Sequence, residues 1–169
     1  MELIFFFVAA AVAVLSALAM ILSRHAVHSA LFLILNFCTI AVLFLLLNAP
    51  FIAAIQVVVY AGAIMVLFLF VIMMLNVEQA EGPLDRLAWQ KPVALALTLP
   101  LLAEVGYVAA SGVLGGQPGS FTPERIAQEG HTELIARLLF TDYLYPFEIA
   151  SILLLVAMVG AVVLAKRRV

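Results

Sequence analysis

The chain has 169 residues, of which 67% are hydrophobic and only 11% are charged, with a formal net charge of −2. A soluble domain needs far more polar surface, so the composition predicts an integral membrane protein. The charge gives no reason to expect a nucleic-acid partner, and the single cysteine, Cys38, excludes an intramolecular disulfide.

Five apolar stretches are long enough for transmembrane helices, which need roughly 20 residues each. They cover residues 3–22, 26–47, 51–75, 92–113 and 146–165. The breaks between them have physical causes, since Pro50 and Pro146 each suit the first turn of a helix. The sequence therefore predicts an all-α integral membrane protein, with residues 1–169 forming a single five-helix domain.

The basic residues predict the orientation of these helices. The N-terminus, second loop and fourth loop share one side of the membrane and hold two basic residues, Arg125 and Arg137. The other side holds six, namely Arg24, Arg86, Lys91, Lys166, Arg167 and Arg168. The positive-inside rule then places the N-terminus outside, in the periplasm, and the C-terminus in the cytoplasm. Residues 114–145 become an outer loop. Within it, residues 133–140 form either a short amphipathic helix at the membrane surface or a loop with one or two helical turns.

Most signatures of catalytic sites are missing from the sequence. It has no glycine-rich phosphate loop, no nucleophile paired with a base and no Cys/His ligand set. The chain alone is therefore not expected to be a catalyst or to hold a cofactor or metal.

The third stretch contains QVVVYAGAIMVLFLFVIMMLN, which begins at Gln56. As an α-helix, residues 51–75 would be about 37 Å long, which exceeds the hydrocarbon core of about 30 Å. Tyr60 lies near its middle, where a phenol needs a hydrogen-bond partner or water. Gly62 weakens the helix and admits another backbone. Together they favour a π-bulge; alternatively, Tyr60 bonds a neighbouring helix and Gly62 is a packing notch.

Glu104 lies near the centre of the fourth stretch, where an ionised carboxylate is costly and is a functional candidate by default. Three interpretations remain open: part of a proton path, a contact with another subunit, or a buried neutral acid.

Two runs of residues resemble a known family. VYAGAIMVLF at residues 59–68 resembles the signature of the J subunit of bacterial respiratory complex I, the proton-pumping NADH:quinone oxidoreductase. LLFTDYL at residues 138–144, followed by PFEIASILLL at residues 146–155, resembles the last helix of that family. The resemblance implies a non-catalytic subunit with five transmembrane helices and an outer N-terminus.

The resemblance also implies a role for the third helix. In the family this helix converts between π-bulged and regular forms, which makes or breaks a water-filled proton route. Tyr60 would line that route, Gly62 would permit the bulge, and Val66 would swing into or out of the gap. Some relatives have glutamate where this chain has Gln56, which cannot titrate, so that carboxylate is dispensable here or replaced by a neighbouring subunit.

Partners and location follow from the same resemblance. The chain would lie in the bacterial cytoplasmic (inner) membrane, in contact with lipid, the quinone-site subunit, a small adjacent membrane subunit and the antiporter-like subunits. NADH, FMN, iron–sulfur clusters and quinone would be handled by other chains. Two alternatives stay open: a subunit of a related ion-translocating complex, such as a cation/proton antiporter or membrane-bound hydrogenase, or a purely structural assembly subunit.

Overall fold

The computed structural model describes residues 1–75, 90–111, 119 and 121–166, and the regular structure of these residues is all helical. Five stretches are long and apolar enough to cross a membrane, as predicted: Glu2–Leu22, Ala26–Leu46, Pro50–Leu75, Pro92–Ala110 and Leu144–Ala165. The chain divides into two compact units, Met1–Ser120 and Phe121–Val169.

The first unit begins with two long helices that pack along each other, α1 (Glu2–Leu22) and α2 (Ala26–Leu46). Ala9 of α1 and Ala30 of α2 are buried. In lipid, apolar burial alone does not drive two helices together, because the acyl chains are as apolar as the side chains. Small side chains instead allow the helices to approach closely and pack.

Polar side chains join α1 to α2 in an antiparallel arrangement. The Asn36 Nδ2 donates to the carbonyl oxygen of Ala13 at 2.7 Å and to the Ser16 Oγ at 3.1 Å. About two turns towards the connection, the Ser29 Oγ donates to the carbonyl oxygen of Met20 at 2.8 Å. Such bonds stabilise a helix pair within the membrane, because hydrocarbon offers these groups no partner.

The tight turn after α2 is closed by its own backbone. Asn48 has φ 55°, a left-handed conformation that asparagine tolerates better than most residues. Its N–H donates to the Leu45 carbonyl at 3.0 Å, and the Ala49 N–H donates to the Phe44 carbonyl at 2.9 Å. This pair of bonds is a Schellman motif, which ends α2 and directs the chain back across the membrane.

The third span consists of three continuous pieces. It begins with α3 (Pro50–Ile55), continues as a π-helical segment (Gln56–Ile64) and ends with α4 (Met65–Leu75). Pro50 occupies the first helical position, where its missing N–H costs nothing, so the span starts one residue before the predicted bound. Among the described elements outside this span, only α2 packs against it, and it does so along all three pieces.

The fourth span, α5 (Gln90–Ala110), starts two residues before the predicted bound of 92. The last two residues of the predicted stretch, 112 and 113, lie outside the described residues. Pro100 lies inside the helix. Among the other described elements of the first unit, none packs against α5.

The second unit contains α6 (Pro123–Glu129), α7 (His131–Phe140) and α8 (Leu144–Ala165). The sequence did not predict α6, whereas α7 includes the expected amphipathic stretch. Gly130 has φ 84° between α6 and α7, a conformation that favours glycine. The last span begins two residues before Pro146, because proline is tolerated throughout the first turn, where N–H groups have no helical partner.

Side-chain contacts connect the three helices of this unit. The Glu129 carboxylate accepts from the Arg125 Nε at 2.8 Å and lies 3.5 Å from the Arg137 guanidinium. The rings of Phe140 and Phe147 meet edge to face, with centroids 5.2 Å apart. These contacts connect α6 to α7 and α7 to α8.

Candidate functional site

The π-helical segment (Gln56–Ile64) is the irregular element of the third span. Its wider register is visible where the Met65 N–H donates to the carbonyl of Tyr60, five residues earlier rather than four. Gly62 is adapted to this register. A Cβ added at Gly62 would lie only 3.2 Å from the Val57 carbonyl oxygen, again five residues back. The glycine therefore lets the π-helical backbone form without a close contact.

The π-helical segment also changes which side chains face α2. Ala53 and Gln56 are buried before or at its start, and Met65, only 2% exposed, is buried directly after it. A regular α-helix continued from Ala53 would turn Ile64 towards this face and Met65 away. The structure has the opposite, since Ile64 is 47% exposed. Because of the π-helical segment, Met65 rather than Ile64 is buried on the side of the span that packs against α2.

Tyr60 lies within the π-helical segment and contacts α2 through Phe37. The two rings meet edge to face, with centroids 5.7 Å apart and an interplanar angle of 71°. Such pairs contribute about 0.5–1.5 kcal/mol beyond their buried area. Tyr60 is 44% exposed, and its hydroxyl has no hydrogen-bond partner among the described residues. The Tyr60 ring therefore contacts α2, and no described residue prevents its hydroxyl from meeting water or another subunit.

The candidate residues fall in two places. Tyr60 and Gly62 belong to the π-helical segment, and Val66 follows it on α4 with an exposed side chain. Glu104 lies on α5, which contacts none of the other described elements of the first unit. The structure therefore brings three of the four onto one helix and does not bring Glu104 to them.

Sequence reasoning missed two members of this site, Phe37 and Met65. Phe37 is one of many apolar residues on α2, and no pattern distinguishes it until its contact with Tyr60 is seen. Met65 stands within the VYAGAIMVLF run, but a 3.6-residue period assigns it to the wrong face. A buried methionine one residue out of phase is a signal only when the π-helical segment is already known.

The donor set of the described residues does not fit a metal site. No group of three or more His, Cys, Asp and Glu side chains among them could hold an ion. The features of the π-helical segment are conformational: a wider helical register, burial of Met65 in place of Ile64, and a phenol whose hydroxyl bonds no described residue. Fold and site define a multi-pass helical membrane protein whose third span contains a π-helical segment.

Comparison with known proteins identifies the family. The sequence model described as NADH-ubiquinone/plastoquinone oxidoreductase chain 6 matches residues 16–164. The chain belongs to this family, which agrees with the resemblance carried by the VYAGAIMVLF run.

Individual relatives extend over nearly the whole chain. NADH-quinone oxidoreductase subunit J of Pseudomonas aeruginosa is 42% identical, with 99% of this chain and 98% of the relative covered. NAD(P)H-quinone oxidoreductase subunit 6 of the Paulinella chromatophora chromatophore is also 42% identical, over 98% of this chain and 78% of the relative. Subunit J of Rhodobacter capsulatus is 38% identical over 96% and 80%. These proteins are all named as subunits of quinone oxidoreductases.

Proposed function

We propose that this chain, as a subunit of an NADH-quinone oxidoreductase, couples quinone reduction to proton translocation through its third span. The span would convert between the π-helical form described above and a regular α-helix, and the conversion would open or close a water-filled proton route. The observation that carries the proposal is that Met65 is buried while Ile64 is exposed. The π-helical segment causes this arrangement, and its conversion to an α-helix would bury Ile64 and expose Met65.

The conversion has a defined effect on the side chains that follow it. Conversion to an α-helix removes the one extra residue that the π-helical segment holds. The helix that follows would rotate by about 100°, which is the rotation per residue of an α-helix. Ile64 would take the place of Met65 against α2. Val66, now exposed, would turn by the same angle. Several apolar side chains would move into or out of a gap although no charge moves with them.

Tyr60 and Phe37 would form the fixed part of the device. The edge-to-face contact holds the Tyr60 ring against α2, while the free hydroxyl can donate to and accept from water. A chain of waters passing this phenol would be interrupted when an apolar side chain fills the space beside the phenol. Gly62 would be required because, in the π form, the Val57 carbonyl lies close to the position that a Cβ would occupy.

The wider assignments belong to the same proposal. The charge distribution supports an outer N-terminus and a cytoplasmic C-terminus, and the bacterial relatives support the cytoplasmic (inner) membrane. Neighbouring chains would be the quinone-site subunit, the small adjacent membrane subunit and the antiporter-like subunits. NADH, FMN, iron–sulfur clusters and quinone would be bound by other chains of the complex.

The test is a high-resolution structure of the intact complex in two states, one resting and one under turnover. We expect the bond from the Met65 N–H to the Tyr60 carbonyl in one state and an α-helical bond in its place in the other. Met65 and Ile64 should exchange their exposure at the same time. A π-helical segment that is unchanged in both states would leave the chain as a structural assembly subunit.

A variant separates gating from assembly. Gly62→Val adds a branched side chain beside the Val57 carbonyl, so we expect an assembled complex with normal electron transfer and reduced proton pumping. Gly160→Val on α8 is the matched control, because an added Cβ there meets nothing within 4 Å. Full pumping by an assembled Gly62→Val complex would rule out the gate.

A further inference from the structure

The fourth span carries a polar stripe on an otherwise apolar surface. Glu104 and Tyr107 of α5 and Ser111, the residue directly after its end, follow one another at spacings of three and four residues, which places them on one side of the helix. All three side chains are exposed. The Ser111 Oγ donates to the Val108 carbonyl at 3.0 Å, whereas Glu104 and Tyr107 have no hydrogen-bond partner among the described residues.

Glu104 lies too deep for lipid headgroups to satisfy its carboxylate. The span Pro92–Ala110 is centred near residue 101, so Glu104 is about 5 Å from its midpoint. The hydrocarbon core extends about 15 Å to each side of that midpoint. A carboxylate facing acyl chains at this depth is costly, and intramembrane acids pair with other groups instead.

The spans of this chain offer no lysine or arginine to pair with Glu104. Among the other described elements of the first unit, none packs against α5. We infer that the face of α5 bearing Glu104 and Tyr107 docks a transmembrane helix of another subunit, and that this helix presents a lysine or arginine to the Glu104 carboxylate. The inference rests on the chain being a subunit of a larger complex, but it does not depend on the π-helical gate.

Crosslinking in the intact complex tests the docking face. A photoreactive benzophenone amino acid would replace Tyr107 or, as a control, Leu102, which lies about 160° around the helix from Glu104. We expect crosslinks to a protein subunit from position 107 and to lipid from position 102. Crosslinks to lipid alone from position 107, or equal protein crosslinks from both positions, would overturn the assignment.

Substitution of Glu104 tests the charge of the partner. Removing one member of a buried ion pair leaves the other charge buried without a partner. Glu104→Leu should therefore raise the dissociation constant of the subunit from the complex by about 100-fold in mild detergent. Leucine favours membrane insertion, so a loss cannot be assigned to failed insertion. Glu104→Gln should also weaken assembly, since it keeps an acceptor but loses the charge.

The outcomes separate this inference from the gate. A Glu104→Gln complex as stable as the unmodified one would exclude a cationic partner. A complex that assembles weakly but pumps normally per electron once assembled supports the docking face and leaves the gate untouched. Failure of the gate would instead appear as lost pumping by an assembled Gly62→Val complex.

Discussion

Phe37 is the residue of α2 that touches the π-helical segment through an aromatic contact. Replacing it with leucine keeps an apolar side chain but removes the edge-to-face pair with Tyr60, which contributes about 0.5–1.5 kcal/mol. Because the pair is formed in the π form, we expect Phe37→Leu to shift the span towards the α form and to lower the number of protons pumped per NADH oxidised, measured in reconstituted vesicles.

Two further variants show whether that effect passes through Tyr60. Phe32→Leu changes an exposed phenylalanine of the same helix and should leave pumping unchanged. The effects of Phe37→Leu and Tyr60→Leu should be less than additive when combined, since either one removes the same contact. Strict additivity would mean that Phe37 acts independently of Tyr60.

Residues differ in how far their role can be read from sequence. Tyr60 and Gly62 are unusual for the middle of a membrane span, so their chemistry alone draws attention to them. Phe37 and Met65 are ordinary apolar residues, and their roles depend on which neighbour they meet. Those neighbours are known only from the tertiary structure. For Met65 the neighbour also depends on the extra residue in the π-helical segment, which hydrophobic periodicity cannot reveal.

The pair formed by α1 and α2 is the support for the third span, since α2 alone of the described elements packs against that span. Asn36→Leu removes both hydrogen bonds that its amide donates to α1. Interhelical bonds in membranes contribute about 1–2 kcal/mol at most, so we expect a small loss of thermal stability of the assembled complex, measured as a lower unfolding temperature.

Thr39→Val is the matched control for this change. Thr39 is another polar residue of α2, and it is buried, but its Oγ1 donates to the Leu35 carbonyl within the same helix at 2.8 Å. It should therefore lower the unfolding temperature less than Asn36→Leu does. Equal losses would show that the Asn36 bonds do not connect the helices in the complex.

At the scale of elements, length and apolarity predict most of what is found. Five apolar runs of sufficient length predict five candidate spans, and Pro50 marks the start of one of them. The short helix α6 was missed because its seven residues, PERIAQE, carry no apolar period. It is defined instead by local chemistry, with Thr122 accepting a hydrogen bond from the Arg125 N–H at its start.

For the whole molecule, the distribution of basic residues predicts which end faces which compartment. In a Cys38→Ser background, Lys166→Cys should react with a membrane-impermeant maleimide only in inside-out vesicles. Thr132→Cys, in α7, should react only in right-side-out vesicles. The reverse pattern would show that the positive-inside rule fails for this chain.

The π-helical segment has one more consequence, which concerns the bilayer. A π-helix winds more residues into each turn than an α-helix, so the same residues span a shorter distance along the axis. Conversion of Gln56–Ile64 to an α-helix would lengthen the third span, and a longer span fits a thicker hydrocarbon core. Thin bilayers should therefore favour the π form and thick bilayers the α form. Pumping efficiency should consequently vary with acyl-chain length in reconstituted vesicles, which would make lipid thickness a regulator of energy coupling.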